Sequence, residues 1–130
     1  MNTKTKGRIG EEIAVRYLKK KGYKILDRNV LYRQTGGPAD SEIDIVAKKG
    51  ACIVFVEVKT SFGDFATMAI APEDRVNFQK QKHILKGAER WLLNHRLSFD
   101  DTEMQIDVLA IVVDSAAKKA KVRHFQNVMI

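Results

Sequence analysis

Residues 41–59 read SEIDIVAKKGACIVFVEVK, and the pairing of this stretch decides the fold. Two apolar runs, 42–47 and 52–59, flank the polar Lys48-Lys49-Gly50-Ala51, which predicts two antiparallel strands joined by a short turn. Both runs carry charge: Glu42 and Asp44 in the first, Glu57 and Lys59 in the second. Such side chains are almost never fully buried unless paired or metal-bound. Side chains alternate across a strand, so Ile53, Phe55, Glu57 and Lys59 share one face, and Glu42, Asp44 and Val46 share a face of the neighbour. A register that pairs Ala47 with Cys52 sets Asp44 opposite Phe55 and Glu42 opposite Glu57. Asp44 and Glu57 are then diagonal neighbours, with Cα atoms roughly 7–8 Å apart. One end of the sheet would gather Glu42, Asp44, Glu57 and Lys59. Like charges this close repel, and partial burial adds a desolvation cost. A divalent cation removes both problems, and an oxygen-only donor set suits Mg²⁺ or Mn²⁺ rather than zinc. The plainer reading is a solvated sheet edge where Lys59 pairs with Glu57 and Glu42. Asp44 on the same face, in a basic protein, favours the metal.

Upstream, Ile13, Ala14, Tyr17 and Leu18 recur at helical spacing, which predicts a helix over residues 5–21 ended by Gly22. Glu11 shares a helical row with Ala14 and Leu18, so it borders the apolar face. Glu12 lies on the polar side, where it reads as a surface pair with Arg16. Glu11 has a bland role open to it as well, an acid favoured by the helix dipole. A strand follows over residues 23–34, then a Gly- and Pro-bearing loop over 35–41. Downstream, a long loop covers 60–72. A helix over 73–95 carries Ile84, Leu85, Ala88, Trp91 and Leu92 on one face. A strand over 103–113 and a short one near 121–125 complete the chain. The order αβββαβ(β) is mixed α/β, expected as one domain over residues 1–130.

The chain has 130 residues, with 45% apolar and 30% charged, enough apolar content for a hydrophobic core. No apolar run reaches membrane-spanning length, and the first residues lack the apolar segment of a secretory signal. The one cysteine, Cys52, allows no internal disulfide and reads as a small core side chain, so a reducing cytoplasm is the expected compartment. Lys and Arg total 23 against 16 Asp and Glu, a net charge of +7 that points to an anionic partner, nucleic acid first. In the second helix Lys82, Lys86 and Arg90 form an i,i+4 row that fits either a solvated face or phosphate contacts, and Arg33, Lys48 and Lys49 could extend it. His83, His95 and His124 lack zinc-ligand spacing, and neither a phosphate loop nor a GxSxG or HExxH motif is present. Asp107, inside the apolar run QIDVLAIVV, is expected to pair with a basic residue. Trp91 reads as core, and Phe62 and Phe65 as candidates for touching a base or a partner.

An acid in the first helix, then Asp44, then Glu57-Val58-Lys59 resembles the PD-(D/E)xK nuclease superfamily. GRIGEEIAVRYLKKKGYKILDRNV, SEIDIVAKKGACIVFVEVKT and QIDVLAIVV together resemble the bacterial UPF0102 (YraN-like) family over nearly the whole chain. The resemblance implies a restriction-endonuclease-like fold, a mixed central sheet flanked by helices. It implies that Asp44 and Glu57 hold Mg²⁺ or Mn²⁺, that Lys59 positions the attacking water and faces the phosphate, and that Glu11 completes the acid cluster. Lys80 falls where the family pattern has lysine and joins the expected nucleic-acid contacts. Ser41 departs from the pattern, which usually has Gly there, and the loop before it is longer. The implied activity is metal-dependent hydrolysis of DNA, ahead of RNA, with branched DNA suggested by fold analogy. Junction cutting would need two sites and hence a homodimer. A nucleic-acid-binding module without catalysis and a protein-interaction domain remain the alternatives.

Overall fold

The sequence folds into α1 (Thr3–Lys20), β1 (Lys24–Arg33), β2 (Ala39–Lys49), β3 (Cys52–Phe62), α2 (Phe78–Asn94), β4 (Met104–Asp114) and β5 (Lys119–Phe125). These elements come from a computed structural model that describes residues 2–33, 39–64 and 78–128. The five strands form one sheet in the order β1-β2-β3-β4-β5. Neighbours pair antiparallel except β3 and β4, which run parallel. A parallel pair cannot be joined by a tight turn, so the chain crosses over between them, and α2 lies in that crossover. The expected mixed α/β sheet flanked by helices is therefore the observed one.

Each helix buries its apolar stripe on one sheet face. Ala14 and Leu18 of α1 pack with Ile45, Val54, Val56 and Leu109. Ile84, Ala88, Trp91 and Leu92 of α2 pack with Val46, Phe55, Ile106 and Val108. Trp91 is core, as expected: its ring meets Phe55 edge-on and its Nε1–H donates to Asp27 Oδ2 at 3.1 Å. Cys52 is half-buried against the α1-side cluster.

Helix α1 starts two residues earlier than the pattern predicts because Asn2 caps it, its side chain accepting from Thr5 N–H at 2.9 Å. At the other end Gly22, with φ 92°, lets Tyr23 N–H reach Leu18 C=O and Gly22 N–H reach Lys19 C=O, the paired bonds of a left-handed helix stop. Two contacts fix how closely the helices approach. A Cβ on Gly10 would sit 1.8 Å from Thr60 Oγ1, so only glycine lets α1 lie this near β3. A Cβ on Gly87 would sit 3.1 Å from the Ser41 Cβ, and Ser41 is buried beneath α2. Ser41 thus belongs to β2 rather than to a loop, and β2 begins at Ala39 instead of residue 42.

The hairpin register differs from expectation by two residues. Ala47 faces Val54, not Cys52, and Lys49 faces Cys52 across a two-residue Gly50-Ala51 turn. Gly50 at φ 60° permits that shorter turn. The start expected for the second helix, residues 73–77, lies outside the described residues, as does 65–72 of the expected long loop, while residues 60–62 finish β3.

Candidate functional site

The β2–β3 ladder ends at Ile45↔Val56. Beyond it the alternation of β2 breaks: Ile45 packs on the α1 side, but Ile43 packs on the α2 side. Asp44 is the residue at the break. In β1 the registered pairs Arg28↔Ile45 and Val30↔Ile43 straddle Asn29, which sits in the left-handed region at φ 53°. Asn tolerates that conformation better than most residues. The two irregularities let both strands twist together, and Asp44 turns toward β3. Its Oδ2 accepts the Val58 N–H at 2.8 Å, a donor that a continuing ladder would have given to a β2 carbonyl.

A cleft of about 340 Å³ opens here, lined by Lys6, Gly7, Glu11, Glu42, Asp44, Val58 and Thr60. Helix α1 supplies Glu11, and the Gly10–Thr60 contact one residue earlier brings that turn of the helix onto the sheet. Glu11 Oε1 is buried and has no hydrogen-bond partner among the described residues. Burial raises the Glu11 carboxyl above its ordinary value, opposed by the nearby Arg28 guanidinium and a hydrogen bond with Asn29. The Asp44 carboxyl is pushed up to about 7, first by burial and then by the charge of Glu57, with Glu42 and Glu11 adding to it against the Val58 N–H. Burial and the mutual repulsion of the acids therefore both disfavour charge on Asp44 and Glu11.

Of the sequence-predicted acids, Glu11, Glu42 and Asp44 line this cleft and Glu57 does not. With the observed register Asp44 follows the Ile45↔Val56 pair, so Glu57 is its neighbour on β3 rather than a diagonal one. The expected single face bearing Glu42, Asp44, Glu57 and Lys59 is not formed. Val58 and Thr60 line the cleft, and strand alternation turns Glu57 and Lys59 to the other side of β3, both half-buried. Among the described residues no group of three or more His, Cys, Asp or Glu side chains stands close enough to hold a metal ion.

Glu12 does not pair chiefly with Arg16. Arg28 of β1 reaches it at 2.6 Å and lowers its carboxyl. Arg28 and Asn29 are the site residues that sequence reasoning missed. The one available signal was an Asn inside a strand-like run, DRNV, because Asn takes the left-handed conformation more readily than most non-glycine residues.

Of the expected nucleic-acid contacts, Lys82 and Lys86 are exposed on α2, and Arg90 lies 5.0 Å over the Tyr32 ring. Arg33 is exposed at the end of β1. Lys80 lies in the first turn of α2, but its side chain, like Phe65, falls outside the described residues. Phe62 is half-buried, with Lys6 Nζ 5.4 Å over its ring.

Asp107 does find a basic partner. It is fully buried, and its Oδ2 lies 2.6 Å from His124 Nε2. Gln105 Nε2 and Asn127 N–H donate to its other oxygen at 2.8 and 2.9 Å. His124 Nδ1 lies 3.2 Å from the Tyr17 hydroxyl. This network ties α1, β4 and β5 together at the opposite end of α1 from the cleft, so Asp107 has no part in the acidic site.

Fold and site together define a class: a five-stranded mixed α/β sheet, with an acid-lined cleft where its second and third strands part. Residues 10–111 match the profile described as uncharacterised protein family UPF0102. The chain is 46% identical over 128 residues to a UPF0102 protein of Alkaliphilus oremlandii, covering 98% of each chain. It is 42% identical over 126 residues to one of Caldicellulosiruptor bescii, covering 94% of each. A third, from Fervidobacterium nodosum, is 38% identical over 125 residues. The chain belongs to the UPF0102 family. No helix among the described residues is long and apolar enough to cross a membrane.

Proposed function

We propose that this chain is a divalent-metal-dependent nuclease of the PD-(D/E)xK kind, binding DNA and hydrolysing its phosphodiester bonds. One observation carries the reading: carboxylates from α1 and β2, Glu11, Glu42 and Asp44, line one cleft, where burial and mutual repulsion disfavour charge on Asp44 and Glu11. The Asp44 carboxyl is pushed up to about 7, and the buried Glu11 Oε1 meets no donor among the described residues. A bound cation would answer both. Mg²⁺ commonly takes only one or two protein carboxylates and fills its other positions with water and substrate phosphate, so a site short of three ligands fits it.

Asp44 would hold the ion together with Glu57, whose charge already acts on Asp44 from the neighbouring position of β3, with Glu11 behind them. Asp44 Oδ2 is already engaged by Val58 N–H, which leaves Oδ1 for a ligand. Bound there, Mg²⁺ or Mn²⁺ would supply Lewis-acid polarisation of the phosphodiester. Lys59, two residues past Glu57 on the same side of β3, would face the phosphate with its ammonium and orient the attacking water. Lys82, Lys86, Arg90 and Arg33, with Lys80, would add sequence-independent backbone contacts.

A nucleic-acid-binding module that does not cut is the second reading. It is favoured by Glu57 and Lys59 lying on the side of β3 away from the Asp44 cleft. Incubating labelled duplex, single-stranded, flap, four-way-junction and RNA substrates with Mg²⁺ or Mn²⁺ separates the two. Cutting by the native chain, lost in Glu57→Ala with binding retained, is the expected result. Salt-sensitive binding without cutting in either metal would leave the binding module.

A further inference from the structure

We infer that the lysine-covered end of the sheet, opposite the acidic cleft, is a second contact surface for the nucleic-acid backbone. The inference rests on the nucleic-acid reading and adds a place and a length to it. Lys19, Lys20 and Lys21 close α1. The Gly22 stop then turns the chain directly into β1, whose first residue, Lys24, pairs with Lys48 of β2. The two-residue turn sets Lys49 next to them. All six lysines are exposed.

Ordinary structural roles explain only some of these charges. Lys19 and Lys20 lie in the last turn of α1, where cations are favoured by the helix dipole. Lys24 and Lys48 stand directly opposite each other on neighbouring strands, where like charges destabilise the pair. Nothing in the fold needs that pairing, and a polyanion across both ammoniums would relieve it. Two further ammoniums are held in place by aromatic rings: Lys49 Nζ lies 4.8 Å over Tyr23 and Lys21 Nζ 5.8 Å over Tyr17. One exposed acid, Glu103 just before β4, stands near this end beside Cys52, and Asp107 within β4 is buried and engaged by His124.

From Cys52, beside Lys49, to Val58, beside Asp44, is six strand residues, or about 20 Å. A duplex touching both ends must extend about six base pairs past the cleft, at about 3.4 Å each. An acidic polypeptide or an anionic membrane would meet the same ammoniums, and the test separates them.

The test is fluorescence anisotropy in EDTA, so that nothing is cut. It uses the native chain and the triple variant Lys20→Gln/Lys24→Gln/Lys48→Gln, with a duplex of about 20 base pairs and one of about five. Losing three phosphate contacts should lower the slope of log affinity against log salt by about 2.7 on the long duplex. The short duplex should bind both proteins alike, and the matching triple arginine variant should restore the slope. Thermal unfolding checks that each variant folds. Equal slopes for native and variant on the long duplex overturn the inference and leave the nuclease reading standing. So does equal loss on both lengths, or a loss seen only with polyglutamate or phosphatidylserine vesicles. A native chain that binds no duplex overturns both.

Discussion

With its carboxyl pushed up to about 7, Asp44 changes charge within the physiological range, whereas an ordinary Asp does so near 4. Between those values the folded chain keeps a proton that the unfolded chain has released. Stability therefore falls as pH rises from about 4 to about 7 and levels off above. Urea unfolding in EDTA should show this limb, on the order of 2–4 kcal/mol deep. Asp44→Asn should flatten it, and identical profiles for the two proteins would refute the assignment. Asp107 is the opposite case, a buried acid with every partner in place. Asp107→Ala should cost about 3–5 kcal/mol in unfolding, because it strands His124, Gln105 and the Asn127 N–H. That Asp107 would be paired was legible, since a lone acid in QIDVLAIVV has few other options. Which residue pairs with it was not, because His124 arrives from a separate strand. The roles of Asn29 and Arg28 were hidden for the same reason: each depends on which strand lies alongside.

At the level of elements, order and type were legible from periodicity alone, and the two-residue register error did little damage to the faces of β3. An even shift keeps each side chain on its side of the sheet. Lys48 and Lys49 were read as turn because they are polar, yet both are strand residues at an exposed strand end. The twist at Asp44 had no signal in the hydrophobic pattern, and it parted Asp44 from the face that Glu57 and Lys59 share with Phe55. Glycine positions give the sharpest element-scale tests. Gly22→Ala puts a Cβ into a left-handed turn and should cost about 1 kcal/mol. Gly10→Ala should cost more, about 1–3 kcal/mol, by pushing α1 off β3. Thr60→Ala in the same chain should recover at least about 0.5 kcal/mol of that. Simple additivity in thermal unfolding would argue against the contact.

For the whole molecule, the acid-bearing cleft toward one end of α1 and the lysines at the other make metal and salt act at different places. Mn²⁺ should raise the unfolding temperature, more at pH 8 than at pH 6, because the proton on Asp44 competes with the ion. Asp44→Asn should remove that rise while leaving the lysine end and its salt response unchanged. Chain order adds a consequence of the parallel β3–β4 ladder, which runs from Ile53↔Met104 to Phe62↔Val113. During synthesis the acids of the cleft and all of β3 leave the ribosome first. The strand that covers the open side of β3 follows 51 residues later, counted from Phe62 to Val113. At ordinary elongation rates that is a gap of roughly 3–10 s. For that interval CIVFVEVKTSF is a bare apolar edge, the kind that recruits other strands, so the nascent chain is most exposed to aggregation just before β4 emerges.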